Sequence, residues 1–185
     1  MLTYVNHDIV FQEFPDEVTL AINLSRCPNR CPGCHSPYLQ QEEGEELTKE
    51  RLFALMDAYE GEITCIGLMG GDNDPATVCE LFNAVRKRNG HKIRTGWYSG
   101  ARELSPQVAA SLSVFDYVKV GPYCADLGPL SSPTTNQRLF RVKHPENSLT
   151  DITERMRRKV TIRNQPSCSN SSRFRTLQAK KPCLI

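Results

Sequence analysis

Short apolar runs alternate along the chain with segments of helical periodicity. The apolar runs contain β-branched and aromatic residues and predict strands at residues 18–24, 62–71, 92–100 and 114–123. The segments between them space their apolar residues three and four positions apart. They predict helices at residues 47–61, 74–90 and 105–113.

The predicted helices have recognisable first and last residues. Thr48, Asp74 and Ser105 are each placed to cap a helix N-terminus, and a proline directly follows the last two. Gly61 and Gly90 are placed to end the first and second helices, and the last turn of the second helix is basic.

Strands that alternate with helices at this spacing predict an α/β fold with parallel pairing and right-handed crossovers. Such sheets bind ligands at the carboxyl ends of their strands. In this chain a cysteine, glycines and polar residues stand at the ends of the four predicted strands. In chain order they are Cys27, Gly70 to Asp72, Tyr98 to Gly100, and Gly121. We therefore expect one site at one end of the sheet.

Three of the eight cysteines are crowded into the stretch "CPNRCPGCHSPY", residues 27–38. The N-terminus is charged and has no apolar segment of a secretory signal, and no apolar run approaches the ~20 residues of a membrane helix. We therefore expect a cytoplasmic protein without a membrane partner. Thiols stay reduced there, so a tight cysteine cluster binds metal or does chemistry.

The spacing C-x3-C-x2-C lets three thiolates converge on one inorganic centre. A structural zinc site has four ligands and a [4Fe–4S] cluster takes four cysteines, so three thiolates leave one position open. His35 follows Cys34 and is an alternative fourth ligand of zinc, although adjacent ligands are geometrically awkward. The remaining five cysteines are isolated, and Cys65 and Cys79 are expected to be buried thiols.

The cysteine loop resembles the signature of radical S-adenosylmethionine enzymes. "GGDND" (70–74) is similar to that family's Gly-Gly-acid element, and "TGWYSG" (95–100) to a strand of glycyl-radical-enzyme activases. "CPGCH" (31–35) resembles the loop of one branch, the activating proteins of anaerobic (class III) ribonucleoside-triphosphate reductase. "DYVKVGPY" and "SSPTTNQRLFRV" resemble later segments of the same branch, which often carries Asn where this chain has Ser36. The resemblance spans roughly residues 7–152.

The resemblance implies a single small partial (βα) barrel of mostly parallel strands. It also implies that Cys27, Cys31 and Cys34 hold three irons of a [4Fe–4S] cluster, and that S-adenosylmethionine chelates the fourth iron. A glycine pair would let the backbone approach the methionine moiety, and an acidic residue would face its ammonium. The residues expected around this cofactor are Gly33, His35, Gly70, Gly71, Asp72, Tyr98 and Ser99.

The implied activity is that of an oxidoreductase. A one-electron donor such as a flavodoxin or ferredoxin would reduce the cluster, and S-adenosylmethionine would be cleaved to methionine and a 5′-deoxyadenosyl radical. The radical would abstract hydrogen from a glycine of the anaerobic reductase, a step for which no catalytic residue beyond the cluster and cofactor is expected. The alternatives are an activase of another glycyl radical enzyme, a radical enzyme acting on small molecules, and a non-enzymatic zinc or nucleic-acid-binding module.

Charge divides the chain into two parts. Residues 1–154 contain 14 Lys/Arg and 21 Asp/Glu, whereas residues 155–185 contain nine Lys/Arg and no acid. We assign residues 1–154 to the activase domain and predict that the basic tail of residues 155–185 is disordered. Isolated basic tails are common, so we do not expect nucleic acid as a partner.

Overall fold

The computed structural model describes residues 1–157. Of the tail predicted to be disordered, residues 155–185, only the first three residues are described, and two of them belong to a short 3₁₀ helix at Thr153–Met156. The rest of that prediction lies outside the described part. One sheet of eight strands forms its centre, and three α-helices pack against it. The strands are β1 (Thr3–Val10), β2 (Thr19–Leu24), β3 (Glu45–Glu46), β4 (Cys65–Met69), β5 (Arg94–Tyr98), β6 (Tyr117–Val120), β7 (Arg138–Lys143) and β8 (Ser148–Asp151). The helices are α1 (Lys49–Ala58), α2 (Pro75–Asn89) and α3 (Pro106–Ala110).

The strand order across the sheet is β3-β1-β2-β4-β5-β6-β7-β8. The four central strands, β2, β4, β5 and β6, are parallel to one another. The flanking pairs β3–β1, β1–β2, β6–β7 and β7–β8 are all antiparallel. The sheet is open, because β3 and β8 form two separate edges.

The predicted α/β fold is confirmed, but the prediction of mostly parallel strands is wrong for both flanks of the sheet. Parallel neighbours need a crossover connection, which is usually a helix. The α-helices α1, α2 and α3 supply these crossovers between the central strands. The connections β1–β2, β6–β7 and β7–β8 contain no helix, and each of them returns antiparallel to the strand it leaves.

The main hydrophobic core lies between the sheet and the helices. Apolar side chains of all three α-helices join those of the central strands in one cluster, and Ile66, Leu68, Val78 and Phe82 are fully buried within it. Burial of this kind contributes roughly 1.5–3 kcal/mol for each large apolar side chain. The core therefore fixes the positions of the parallel strands, whose carboxyl ends bear the predicted site.

The opposite face of the sheet carries a second, smaller core. Phe14, from the turn between β1 and β2, is fully buried there and stacks on Tyr117 with 5.1 Å between ring centroids. Gly67 and Gly96 make room for this ring, because a Cβ atom at Gly96 would lie only 2.2 Å from it. This face remains open beyond Phe14, toward the carboxyl ends of β4, β5 and β6.

The three predicted N-terminal helix caps are confirmed. The side chains of Thr48, Asp74 and Ser105 accept hydrogen bonds from backbone N–H groups of the first turns of α1, α2 and α3. Gly90 is the C-cap of α2, as predicted, but α1 ends at Ala58, before Gly61. No helix within residues 1–157 is both long enough and apolar enough to cross a membrane.

Candidate functional site

The carboxyl ends of the parallel strands surround one cavity of about 420 Å³. Each strand brings one chemical group to it: the loop after β2 brings the three cysteines, and the turn after β4 brings Asp72. The end of β5 brings Tyr98 and Ser99, and β6 brings Lys119. The four groups converge because the parallel register aligns the strand ends.

The cysteine loop is closed at its base by backbone hydrogen bonds. The N–H of Arg26 donates to Gln41 O at 3.0 Å, and the N–H of Cys27 donates to Leu39 O at 2.9 Å. Buried Ser25 anchors the start of the loop, since its Oγ lies 2.6 Å from Glu43 O. The backbone between these anchors turns through positive φ at Arg26, Arg30 and Gly33, which lets it fold over the cavity.

Cys27, Cys31 and Cys34 are free, partly exposed thiols that all line the cavity. Two donors point at their sulfur atoms: the N–H of Ser36 lies 3.4 Å from Cys34 Sγ, and Asn29 Nδ2 lies 3.8 Å from Cys27 Sγ. Hydrogen bonds to cysteine sulfur atoms tune iron–sulfur sites. Three free thiols at one cavity, with donors directed at two of them, fit three corners of an iron–sulfur cluster.

The other cysteines are placed differently. Cys65 and Cys79 are buried, as predicted, in β4 and α2, and burial raises the pKa of both thiols. Cys124 is partly exposed but does not line the cavity. Cys168 and Cys183 lie outside the described residues.

Asp72 is the hydrogen-bonding centre of the cavity wall. Its Oδ2 accepts from Asn29 Nδ2 at 2.7 Å and from the N–H of Gly100 at 2.8 Å, and its Oδ1 accepts from Ser99 Oγ at 2.5 Å. These bonds tie together the cysteine loop and the ends of β4 and β5. Gly100 permits the arrangement, because a Cβ atom there would lie 2.4 Å from Asn29 Nδ2.

Lys119 is a buried cation in the cavity wall. Its Nζ donates to Gly121 O at 2.7 Å and to Ser99 O at 3.4 Å, and the residue is 7% exposed. Burial lowers the pKa of Lys119 to about 8, although the nearby side chains of Asp72, Cys31 and Cys27 oppose this change. A lysine in such a position can bind a carboxylate that enters the cavity, and a bound carboxylate would raise the pKa of the lysine again.

Gly70 and Gly71 take backbone conformations that L side chains rarely adopt, with φ of 101° and 91°. Gly70 lines the cavity, and its carbonyl oxygen accepts from Trp97 Nε1 at 2.7 Å. Gly71 faces the core, because a Cβ atom there would lie 2.8 Å from Leu24 Cδ1. The pair thus turns the chain sharply between β4 and α2, and only its first member borders the cavity.

Most of the residues predicted from the sequence meet around this cavity. Those that line it are Cys27, Cys31, Cys34, His35, Gly70, Asp72, Tyr98 and Ser99. Gly33 and Gly71 do not belong to the lining. Gly33 contributes its positive φ of 70° to the cysteine loop, and Gly71 contributes close packing on the core.

A second cleft, of about 670 Å³, adjoins the cavity, and both are lined by Glu13, His35, Tyr98 and Tyr123. His35 Nε2 and the Tyr123 hydroxyl are 2.9 Å apart, and the two rings are in contact with 4.5 Å between centroids. The cleft is bordered by apolar side chains such as Phe11, which is 69% exposed. An extended chain approaching along this cleft would reach the cavity beside His35.

Three residues of the site were not predicted from the sequence: Asn29, Lys119 and Tyr123. The signal for Lys119 was present, because it is a single charge in the otherwise apolar strand "YVKV". Asn29 contacts Asp72, 43 positions away, and Tyr123 contacts His35, 88 positions away. Contacts at such separations depend on the sheet register, which the sequence pattern does not specify.

Comparison of the chain with protein-family models, curated proteins and solved structures found no match.

Proposed function

We propose that this protein is an iron–sulfur activase of the radical S-adenosylmethionine type, which generates a glycyl radical on an anaerobic ribonucleoside-triphosphate reductase. The observation that carries the proposal is the convergence of three free cysteines, Asp72 and Lys119 on one cavity. In this proposal the sheet, with its helices on one face, serves as a small partial (βα) barrel. The proposal places the protein in the cytoplasm, where thiols stay reduced and available as ligands.

In the proposed site, Cys27, Cys31 and Cys34 hold three irons of a [4Fe–4S] cluster and leave the fourth iron to S-adenosylmethionine. When bound, the cluster supplies the electron for the reductive cleavage of S-adenosylmethionine, which yields a 5′-deoxyadenosyl radical. The donors at Ser36 and Asn29 hold two of the thiolates in place.

Asp72 and Lys119 supply charges of opposite sign in the same cavity. The methionine moiety of S-adenosylmethionine carries an ammonium and a carboxylate, so each charge has a partner in the ligand. Asp72 is held by three donors, none of which is a cation, and it therefore keeps its negative charge available to the ammonium. Lys119 is tied to two carbonyl oxygens and has no side-chain anion as a hydrogen-bond partner among residues 1–157, so it can pair with the carboxylate.

The adjoining cleft supports a macromolecular substrate. A glycine Cα can be reached only if a loop of the partner protein enters close to the cofactor, and the cleft opens beside His35 and Tyr123. The protein's task is then to position the loop and to exclude water and other quenchers of the radical. A flavodoxin or ferredoxin is the proposed electron donor.

Electron paramagnetic resonance of an anoxic mixture tests the proposal. The mixture contains the iron-loaded protein, its reductase, S-adenosylmethionine and a reductant, and a glycyl doublet should appear only when all four are present. Formation of 5′-deoxyadenosine without the doublet would assign the chemistry to another substrate. A colourless protein that binds zinc and no iron would overturn the proposal in favour of a zinc-binding module.

A further inference from the structure

A separate group of chemically active side chains lies at the other end of the parallel strands. His91 lies in the loop between α2 and β5, Asp116 directly precedes β6, and His144 directly follows β7. One ligand atom from each residue lies within 4.8 Å of the other two. These positions are at the amino ends of β5 and β6, whereas the cysteine cavity is at the carboxyl ends.

The group has the composition of a zinc site with three protein ligands. Imidazole nitrogens and a carboxylate oxygen are common zinc ligands, at distances of roughly 2.0–2.2 Å from the metal. Ligand atoms around a tetrahedral ion at such distances lie about 3.3 Å apart. His144 Nε2 and Asp116 Oδ1 are 3.6 Å apart, close to this value. His91 is exposed, and its ring contacts that of His144 with 4.7 Å between ring centroids.

The contacts of His144 hold its imidazole ring in place beside Asp116. Its Nδ1 lies 3.0 Å from Asn147 Oδ1, and its Nε2 lies 3.1 Å from Phe115 O. With Asp116 Oδ1, these are three oxygen acceptors around one imidazole ring. In the tautomer with the proton on Nδ1, the ring donates to Asn147 Oδ1 and presents the lone pair of Nε2 on the side of Asp116. The bond from Nδ1–H to Asn147 is the type of outer contact that orients a metal-ligating histidine.

Arg86 and Arg94 both contact Asp116, and their positive charges lower the affinity of such a site for a metal ion. Arg86 donates to Oδ2 at 2.5 Å, on the side of the carboxylate that also accepts from the Thr95 N–H. The other carboxylate oxygen of Asp116, Oδ1, faces His144. Within the described residues, the only cationic side chain that donates a hydrogen bond to Oδ1 is Arg94, at 3.3 Å. The Arg94 side chain is 38% exposed, so it can move into solvent when a metal ion approaches.

We propose that His91, Asp116 Oδ1 and His144 Nε2 bind one Zn²⁺ ion. This ion would link the α2–β5 loop, the start of β6 and the β7–β8 hairpin. It is independent of the proposed cluster, and its role would be to stabilise the fold.

Metal titration of the full-length protein tests this proposal. Cys27, Cys31 and Cys34 are first replaced by Ser, so that thiolates of the cavity cannot bind the added ion. Calorimetry with Zn²⁺ should then show one saturable site, and Co²⁺ at this site should give visible bands without the intense near-ultraviolet bands of thiolate ligation. Bound Zn²⁺ should also raise the melting temperature.

Four further substitutions in that background decide whether the site is the one proposed. His91→Ala and His144→Ala should each weaken Zn²⁺ binding at least 10-fold, and Asn147→Ala should weaken it about 10-fold through loss of the outer contact. Arg94→Gln should tighten binding, because it removes the competing charge. Absence of saturable binding, or unchanged affinity in His144→Ala, His91→Ala or Arg94→Gln, would overturn the proposal.

Discussion

Asp72 and Asp116 lie at opposite ends of the same parallel strands and are held in different ways. Asp72 accepts hydrogen bonds from an amide, a hydroxyl and a backbone N–H, all of them neutral. Asp116 accepts from the guanidinium groups of Arg86 and Arg94, and from the N–H of Thr95. The hydrogen-bond donors to Asp72 are thus neutral groups, whereas two of the donors to Asp116 are cations.

From this difference we assign Asp72 to the candidate site and Asp116 to the stabilisation of the fold. Neutral donors fix the geometry of Asp72 but leave its negative charge to act on a ligand. The ion pair of Asp116 with Arg86 is almost fully buried, and it joins α2 to the loop before β6. Loss of Asp72 should therefore impair the site, and loss of Asp116 should impair the fold.

The largest expected effect is on the three cysteines. Cys31→Ala should abolish nearly all binding of iron and sulfide in anoxic reconstitution, because it leaves only two ligands for the cluster. The folded structure should be retained, since the side chain is partly exposed. Cys124→Ala is the matched control, because that thiol is also partly exposed but lies outside the cavity lining. Parental iron content in Cys31→Ala would contradict the assignment.

Asp116→Asn should lower the free energy of unfolding by about 3–5 kcal/mol, because it leaves Arg86 as an uncompensated buried cation. Denaturation with urea measures this loss. The folded fraction of Asp116→Asn should bind iron and S-adenosylmethionine as the parent protein does. Asp57→Asn is the control: its ion pair with Arg88 is exposed, and its removal should cost less than about 1 kcal/mol. An equally small loss of stability for Asp116→Asn would contradict the assignment of Asp116, in contrast to Asp72, to the stabilisation of the fold.

Lys119 should make the stability of the metal-free protein depend on pH. Its pKa is about 8 in the folded protein and near its ordinary value of 10.5 when unfolded, so the unfolded chain binds more protons between these values. Stability should therefore rise with pH above 8, by about 1.5 kcal/mol between pH 8 and pH 9.5. Lys119→Met should remove this rise, as measured by the difference between the two unfolding profiles. Parallel profiles would show that Lys119 does not titrate in this range.

The smallest expected effect belongs to Asn29. Asn29→Ala removes one of three hydrogen bonds to Asp72 and should weaken binding of S-adenosylmethionine by less than about 10-fold, with the iron content unchanged. Asn136→Ala removes a comparable exposed hydrogen bond, to Pro122 O, and should have no effect on binding. A complete loss of the cluster in Asn29→Ala would mean that the longer contact of Asn29 with Cys27 Sγ matters more than its hydrogen bond to Asp72.

The sequence was sufficient to predict the central strands and their helices. Their apolar runs are strongly marked, and the caps at Thr48, Asp74 and Ser105 depend only on residues within one turn. The outer strands were missed because they alternate or mix polar and apolar residues over short lengths. Strand β7 reads "RLFRVK", with only Leu139 and Val142 buried.

The sequence predicted the site residues that directly follow the central strands. It did not predict the side-chain contacts between residues that are far apart in the sequence. Parallel pairing alone brings Asp72, Ser99 and the cysteines together. The close approach of Asn29 to Asp72 also requires the absence of a side chain at Gly100. The core-facing position of Gly71 follows from its packing against Leu24 and Val78, which no local pattern specifies.

The most direct test of the central claim is the electron paramagnetic resonance spectrum of the reduced, iron-loaded protein with and without S-adenosylmethionine. If three cysteines hold the cluster and the fourth iron is open, addition of S-adenosylmethionine should change the g-values of the cluster signal. Asp72→Asn should require a higher concentration for the same change. A cluster signal that is identical with and without saturating S-adenosylmethionine would contradict the account.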